Sequence, residues 1–153
     1  MFGRRYGLPV MALDTAKGFA PALAATLVAG HLAGVLAGGA AMLGHWRPLF
    51  LRFAKGGKIV ATSGGAFFGV APLVAGIGFG VWLLVFLATR YVSVASMAAG
   101  LSLPVIAALL DESWPVVALA SFAAVAILVL HRSNIARLRA GTESRVSVRS
   151  ART

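Results

Sequence analysis

Two lysines bracket two glycines in the segment Lys55-Gly56-Gly57-Lys58, directly before an apolar run that begins at Ile59. Glycine permits a close backbone approach, and the start of a helix offers free N–H groups and the positive end of its dipole. With the charge of the lysines, this spacing suits an oxyanion. It is not a Walker A motif, because the G-x-x-x-x-G-K-[ST] spacing is absent. The same residues would also serve as a basic anchor at a membrane surface.

A second polar segment, from His131 to Glu143, follows a long apolar run. If this segment is helical, His131 and Asn134 share one face and Arg137 continues it. An imidazole, an amide and a guanidinium would then converge, which suits a polar anionic group. The alternative interpretation is a basic helix end whose side chains reach for the membrane surface.

Arg90, Ser93 and Ser96 place a guanidinium and two hydroxyls at another boundary between apolar runs. They are candidates for the same anionic site, although serines also serve as packing hydroxyls between membrane helices. Asp14 and Lys17 lie three residues apart, a spacing that predicts a structural ion pair within a helix.

Several kinds of chemistry are excluded by residue type. The chain has no cysteine, which removes disulfides, thiolate metal sites and a cysteine nucleophile. It has only 4 acidic residues, too few for two-carboxylate chemistry, and no serine has a matching His and Asp in sequence. An enzyme built from these residues would position an already activated substrate and stabilise its charge.

The composition is that of a membrane protein. Of 153 residues, 59% are hydrophobic and only 12% are charged, about half the charged share of a typical soluble domain. The net charge of +10 does not indicate a nucleic-acid partner, because the basic residues flank apolar runs and do not alternate with stacking aromatics. Nothing alternates with the period of a barrel strand, so an all-α bundle is predicted, with membrane lipid around it.

Glycines, prolines and charges divide the chain into six predicted crossings. These are roughly 8–28, 30–46, 59–73, 74–90, 93–110 and 114–131. The third would reach only about 22 Å at the standard helical rise, short of the hydrocarbon thickness. Glycine and alanine are frequent, as at Gly30, Gly34 and Gly38, and we expect them to pack helices within the chain.

The positive-inside rule orients this bundle. The loop 47–58 is basic without any acid, and the segment after 131 is rich in arginine, so both are predicted to be cytoplasmic. The acidic pair Asp111-Glu112 predicts a turn on the outer side of the membrane. Both ends of the chain then lie in the cytoplasm, in a single domain over residues 1–145 followed by a basic, disordered tail over 146–153.

Three segments resemble one family, the bacterial membrane acyltransferases that use acyl phosphate to acylate glycerol 3-phosphate. The stretch from Gly44-His45 to Thr62 resembles the second motif of that family, and His131 to Leu138 with Gly141 and Glu143 resembles the third. Leu13-Asp14 with Lys17-Gly18, and Arg90 to Ser93, also resemble family positions. The chain starts where the sequence just after the first motif would be, so we expect six crossings where the family has seven.

The resemblance implies a reaction and a site at a bacterial inner membrane, facing the cytoplasm. Glycerol 3-phosphate would attack an acyl phosphate, giving lysophosphatidic acid and phosphate, the first step of phospholipid synthesis, without a cofactor or metal. The implied catalytic residues are Lys55, Lys58, His131 and Asn134. The implied substrate-binding residues are Gly56, Gly57, Thr62, Arg90, Ser93, Ser96, Arg137, Gly141 and Glu143.

Two other classes of function remain open from the sequence. The absence of the first motif in this chain allows a non-catalytic relative. A carrier or binder of a small organic anion is the other, but polar groups at the middle of the bilayer are expected in a transporter and these crossings are apolar there.

Overall fold

The structure is a computed structural model that describes residues 4–48, 52–54 and 56–146, with the backbone alone at 4–6. This part of the chain contains seven α-helices and no strand. They are α1 (Arg4–Ala29), α2 (His31–Trp46), α3 (Val60–Val70), α4 (Pro72–Thr89), α5 (Val92–Leu109), α6 (Trp114–Leu130) and α7 (Arg132–Arg139). The predicted all-α class is confirmed.

Most helix boundaries fall where glycine, proline or charge predicted them. Gly30 separates α1 from α2 with a φ of 86°, and Arg90 ends α4 with a φ of 62°. The third predicted crossing is wrong in its bounds, because α3 has only 11 residues and is about 16 Å long. Pro72 opens α4 instead of ending the third helix, since proline fits the first turn, where its missing N–H has no partner to lose.

The sixth predicted crossing ends in a corner. α6 stops at Leu130, and α7 leaves at 52° to it, so His131 lies at the bend between them. The segment 131–139 is therefore not a straight continuation of α6. This bend turns the polar face of α7 across one end of the bundle.

Two helices, α4 and α5, are long and apolar enough to cross a membrane by length and composition, and the bent pair α6 and α7 would make a third. Among the described residues, α2 with 16 residues and α3 with 11 are shorter than the 18 that such a crossing takes. The count of six crossings and the cytoplasmic location of both ends stay predictions.

Small residues let the helices pack backbone against backbone. A Cβ on Gly18 of α1 would overlap the carbonyl oxygen of Thr62 in α3, and a Cβ on Gly65 would overlap that of Thr15. On α2, a Cβ on Gly34 would lie 2.9 Å from the carbonyl of Ala22, and one on Gly38 would lie 3.0 Å from Ala66. The expected packing role within the chain is confirmed for Gly34 and Gly38.

The bundle is apolar on both its inside and its outside. Met42, Phe67 and Ile127 are fully buried, whereas Val28 of α1 and Leu84 of α4 are 88% and 70% exposed. Water would not stabilise such an outer surface, but lipid would. The fold is that of an integral membrane helix bundle.

Candidate active site

Residues from four places in the sequence meet at one end of the bundle. The Lys58 ammonium, just before α3, donates to Oδ1 of Asn134 in α7 at 2.6 Å. The Asn134 amide nitrogen donates to Oε1 of Glu143 at 2.6 Å, and the Ser93 hydroxyl, in the first turn of α5, donates to the same oxygen at 2.6 Å. Arg137 Nε donates to Oε2 of Glu143 at 2.7 Å. We call these five side chains the polar network.

Asn134 has only one orientation that satisfies the polar network. An ammonium can only donate and an ionised carboxylate can only accept, so the amide oxygen must face Lys58 and the amide nitrogen must face Glu143. Asn134 is 6% exposed, so neither half of its amide could turn to water instead. Its side chain is therefore fixed in position and in direction.

Glu143 collects the donors of the network. Hydrogen bonds from Ser93 and then Asn134 lower the pKa of its carboxyl to about 2, with Arg137 adding a further bond and its positive charge, while desolvation opposes the shift. The carboxylate is ionised at neutral pH, and both of its oxygens accept bonds from the protein. This arrangement favours a positioning role for Glu143 over the direct substrate contact that the resemblance implied, because a carboxylate would repel a phosphate.

A Schellman turn brings Glu143 back onto α7. Gly141 adopts a φ of 68°, its N–H donates to the Leu138 carbonyl at 3.2 Å, and the Thr142 N–H donates to the Arg137 carbonyl at 2.8 Å. Left-handed backbone favours glycine, which explains this residue type at position 141. Gly141 therefore shapes the chain and is not among the residues that line the cleft described below.

His131, at the corner between α6 and α7, is 3% exposed. Its Nδ1 lies 2.8 Å from the Ile127 carbonyl, and a carbonyl can only accept, so Nδ1 carries a proton. Nε2 is then the nitrogen that can accept a hydrogen bond from a molecule in the cleft. His131 and Asn134, which the sequence placed on one helix face, both line the same cleft, although His131 lies at the bend before α7.

The cleft has a volume of about 690 Å³. Its polar lining lies at the end of the bundle that holds the polar network, and we call this the polar end; it consists of Lys58, Ser93, His131, Asn134 and Glu143. Residues of α1, α3, α4 and α5 form the apolar lining. They include Met11, Val60, Ala61, Gly64, Phe68, Phe79, Trp82 and Val92. Such a cleft fits an amphiphile with a polar head and a hydrocarbon chain.

Two of the predicted hydroxyls take different places. Ser93 belongs to the polar network, whereas Ser96, one turn further along α5, accepts a hydrogen bond from the Trp82 indole at 3.3 Å. Ser96 also lines the cleft. The stacked rings of Phe79, Trp82 and Phe86 make an aromatic face on α4. The spacing of these rings, three and four residues, puts them on one side of a helix, but it does not indicate which neighbouring helix that side contacts.

Gly56 and Gly57 do not offer their amides to the cleft. The Gly56 N–H donates to the Trp46 carbonyl at 2.9 Å, and the Gly57 N–H donates to the His45 carbonyl at 3.2 Å. The last carbonyls of a helix lack partners within it, so both glycines cap the end of α2. This geometry favours a structural role for the pair over the direct oxyanion contact that the spacing suggested. Lys55 lies outside the described residues.

Thr62 and Arg90 do not line the cleft either. Thr62 is fully buried where α1 crosses α3, and its hydroxyl has no hydrogen-bond partner among the described residues. Arg90 contributes its backbone, because its carbonyl accepts the Val146 N–H at 3.0 Å. The Arg145 guanidinium lies 4.9 Å from the centre of the Tyr91 ring. These contacts hold the segment after Glu143 against the turn between α4 and α5.

Ile59 is a further feature that the sequence pattern did not reveal. It has a φ of 60° and is 2% exposed, directly between Lys58 and α3. A β-branched residue rarely adopts this conformation, which costs on the order of 1–3 kcal/mol. Glycine would adopt this backbone conformation without that cost.

The fold and the cleft define an integral membrane helix bundle with a cleft lined by both charged and apolar residues. The sequence profile of the glycerol-3-phosphate acyltransferases matches residues 1–141. The chain therefore belongs to the glycerol-3-phosphate acyltransferase family.

Individual relatives agree with this assignment. A glycerol-3-phosphate acyltransferase of Desulforudis audaxviator (strain MP104C) is 41% identical over 147 residues, which are 96% of this chain and 74% of that protein. The crystal structure of PlsY (YgiH), an integral membrane glycerol 3-phosphate acyltransferase, in its glycerol 3-phosphate form is 41% identical with a TM-score of 0.91. Its lysophosphatidic acid form has a TM-score of 0.89. The match covers 95% of this chain and 74% of each PlsY chain.

Proposed function

We propose that this protein transfers a fatty acyl group from acyl phosphate to the 1-hydroxyl of glycerol 3-phosphate, giving lysophosphatidic acid and inorganic phosphate. The observation that carries the proposal is the cleft, which has residues of the polar network and a large apolar lining in one cavity. Glycerol 3-phosphate fits the polar residues, and an acyl chain fits the apolar lining. The names of the relatives support the acceptor, since they describe acylation of glycerol 3-phosphate.

Lys58 is the residue we assign to phosphate. An ammonium has three N–H donors, and the bond to Asn134 fixes the side chain so that its charge lies at the polar end of the cleft. In the polar network, Lys58 and Arg137 outnumber the single carboxylate of Glu143, so the network has a net positive charge. A dianionic phosphate is attracted by this net positive charge, and donors that are already in place stabilise it.

His131 and Asn134 are assigned to the glycerol part of the acceptor. The Nε2 atom of His131 accepts a hydrogen bond from the attacking hydroxyl, since Nδ1 is bound to the Ile127 carbonyl. The hydroxyl oxygen then forms the new ester bond to the carbonyl carbon, and the phosphate leaves with the electron pair of the carbon–oxygen bond that breaks. The hydroxyl proton passes through Nε2 of His131 to the departing phosphate. An acyl phosphate is already activated, so positioning and charge stabilisation supply much of the rate. Arg137 and Arg90 lie outside the cleft and support the anionic site from there. Arg137 does so through its bond to Glu143.

The proposed setting is the bacterial inner membrane with the polar end of the cleft facing the cytoplasm. The basic loop before α3 and the basic segment after α6 lie at the same end of the bundle as the polar network. By the positive-inside rule this end is cytoplasmic. Glycerol 3-phosphate, which is soluble, would enter from that side, and the acylated product would stay in the lipid.

The test uses the purified full chain in detergent or in proteoliposomes, with radiolabelled glycerol 3-phosphate and either palmitoyl phosphate or palmitoyl-CoA. We expect labelled lysophosphatidic acid from palmitoyl phosphate, with one inorganic phosphate released per product, and no replacement by palmitoyl-CoA. An equal or faster rate with palmitoyl-CoA would refute the assigned donor. A lack of product from either donor would refute the enzymatic function.

A paired substitution tests the phosphate assignment. Lys58→Met keeps the length of the side chain but removes its charge, and we expect kcat/KM to fall roughly 10- to 150-fold, as for the loss of one hydrogen bond to a charged group. Arg132→Met is the matched control, because the Arg132 side chain is exposed and makes only a long contact of 3.5 Å with the Val129 carbonyl. A Lys58→Met variant as active as the control would remove Lys58 from the site.

A further inference from the structure

The last turn of α2 and the glycine pair Gly56-Gly57 are in direct contact. The N–H groups of the pair donate to the carbonyls of Trp46 and His45. Lys58 follows directly, so its Cα lies about 3.8 Å from that of Gly57. The position of α2 therefore determines the position of Lys58, which donates to Asn134.

The two glycines meet His45 through different atoms. A Cβ on Gly57 would overlap Nε2 of the His45 ring and lie 2.9 Å from its Cδ2. A Cβ on Gly56 would instead overlap the backbone carbonyl oxygen of His45 and lie 2.9 Å from that of Trp46. The imidazole thus packs directly against Gly57, whereas backbone carbonyls and Cδ of Pro48, at 3.1 Å, obstruct position 56.

A carboxylate of α1 lies on the other side of the His45 ring. Asp14 Oδ1 is 3.6 Å from His45 Nδ1, and the same oxygen accepts a hydrogen bond from Lys17 at 2.6 Å. The His45 side chain is only 13% exposed. The ring is therefore enclosed between Asp14 and Gly57, which leaves it little freedom to move.

We propose that His45 is a positioning residue for the phosphate site, because its ring sets the distance between α2 and the Gly56-Gly57 pair and thereby places Lys58. Asp14 supports the ring from α1. His45 does not line the cleft, so it acts through the loop and not on the substrate. This inference rests on the proposed function in one respect, namely that Lys58 holds a substrate phosphate.

The test is a set of five variants: His45→Ala, Gly57→Ala, Gly56→Ala, and the two double variants that combine each glycine change with His45→Ala. Gly57→Ala should lower kcat/KM roughly 10- to 100-fold, since a displacement of about 1 Å at a site costs on this order. Adding His45→Ala removes the ring that the new Cβ would overlap. The double variant should then recover to the level of His45→Ala alone. Gly56→Ala meets a backbone carbonyl, so adding His45→Ala should not rescue it.

The kinetic parameters separate positioning from a general folding defect. A displaced Lys58 binds phosphate less well before the reaction as well as during it, so most of the loss in His45→Ala should appear as a raised KM. A misfolded fraction would lower kcat at constant KM. Palmitoyl phosphate and glycerol 3-phosphate are varied in turn. His45→Ala with unchanged KM for both substrates would overturn the proposal.

The unfolding temperatures of the same variants, in the same detergent, keep the inference separate from the proposed function. If the parent protein makes no product, the proposed function has failed, but the contact between His45 and Gly57 is still tested. We expect the drop in unfolding temperature of Gly57→Ala to be largely reversed by His45→Ala, and that of Gly56→Ala to persist. Equal and additive drops in both pairs would overturn the assigned contact.

Discussion

Glu143→Gln is the substitution that challenges the polar network most directly. It keeps the size of the side chain but removes the negative charge and replaces one carboxylate oxygen with an NH₂ group. Ser93, Asn134 and Arg137 all donate to the carboxylate, at 2.6, 2.6 and 2.7 Å. An NH₂ group cannot accept from any of them, so one side of the network must lose its bonds.

The magnitude follows from the bonds at risk. If the amide oxygen takes the place of Oε1, Ser93 and Asn134 keep neutral hydrogen bonds and Arg137 faces a donor. A hydrogen bond to a charged group contributes about 1.5–3 kcal/mol, so the loss of one corresponds to roughly a 10- to 150-fold reduction. We expect kcat/KM for glycerol 3-phosphate to fall by this factor, because Arg137 loses its bond to residue 143 and Asn134 is held by a weaker bond to a neutral oxygen.

The assay compares initial rates with palmitoyl phosphate for the parent, Glu143→Gln and Glu112→Gln. Glu112 lies beyond the far end of α5, which rises about 27 Å from the first turn that carries Ser93. Its substitution controls for the change in net charge and should leave the rate unchanged. A Glu143→Gln variant that retains more than half of the parental kcat/KM while remaining folded would refute the positioning role of Glu143.

Three further predictions concern stability. Gly141→Ala forces an alanine into left-handed backbone and should cost about 1–2 kcal/mol of unfolding free energy. The control is Gly80→Ala, in open space on α4, which should be neutral or stabilising. Similar unfolding temperatures for the two variants would contradict the Schellman turn. Gly18→Ala should destabilise by about 1–3 kcal/mol by pushing α1 away from the Thr62 backbone, and an unchanged unfolding temperature would argue against that close crossing. Because the folded pKa of Glu143 is about 2, below its ordinary value of 4.5, its stabilisation is fully present above pH 4.5 and is lost as the pH falls towards 2. Unfolding temperatures across this window should fall less steeply in Glu143→Gln than in the parent, and identical slopes would contradict the lowered pKa.

The positions of the helices were largely predictable because their signals are local. In lipid, a run without charge must be helical, because only a helix satisfies its own backbone hydrogen bonds. The interruptions at Gly30, Arg90 and Asp111 indicate where these helices end. The third crossing was misjudged at Pro72, since proline at a boundary can end one helix or open the next. The corner at His131 was missed because the apolar pattern runs into a basic segment without glycine or proline.

The candidate site was predictable in its residue types but not in its arrangement. Lys58, His131 and Asn134 were expected together and line one cleft. Glu143 was expected to touch substrate, yet its oxygens are turned to protein donors. The direction of a side chain at a helix end depends on the neighbouring helices, which sequence spacing does not contain.

The amino-acid sequence alone specified an apolar helical bundle with basic ends, because hydrophobicity, charge and helix breakers act over a few residues at a time. Only the tertiary structure decided what each end does. The bend at His131 and the left-handed turn at Gly141 carry α7 and Glu143 over the start of α5, and the crossing of α1 over α3 buries Thr62 away from the cleft. These outcomes depend on which faces of distant helices pack together, and close packing of small residues settles that choice.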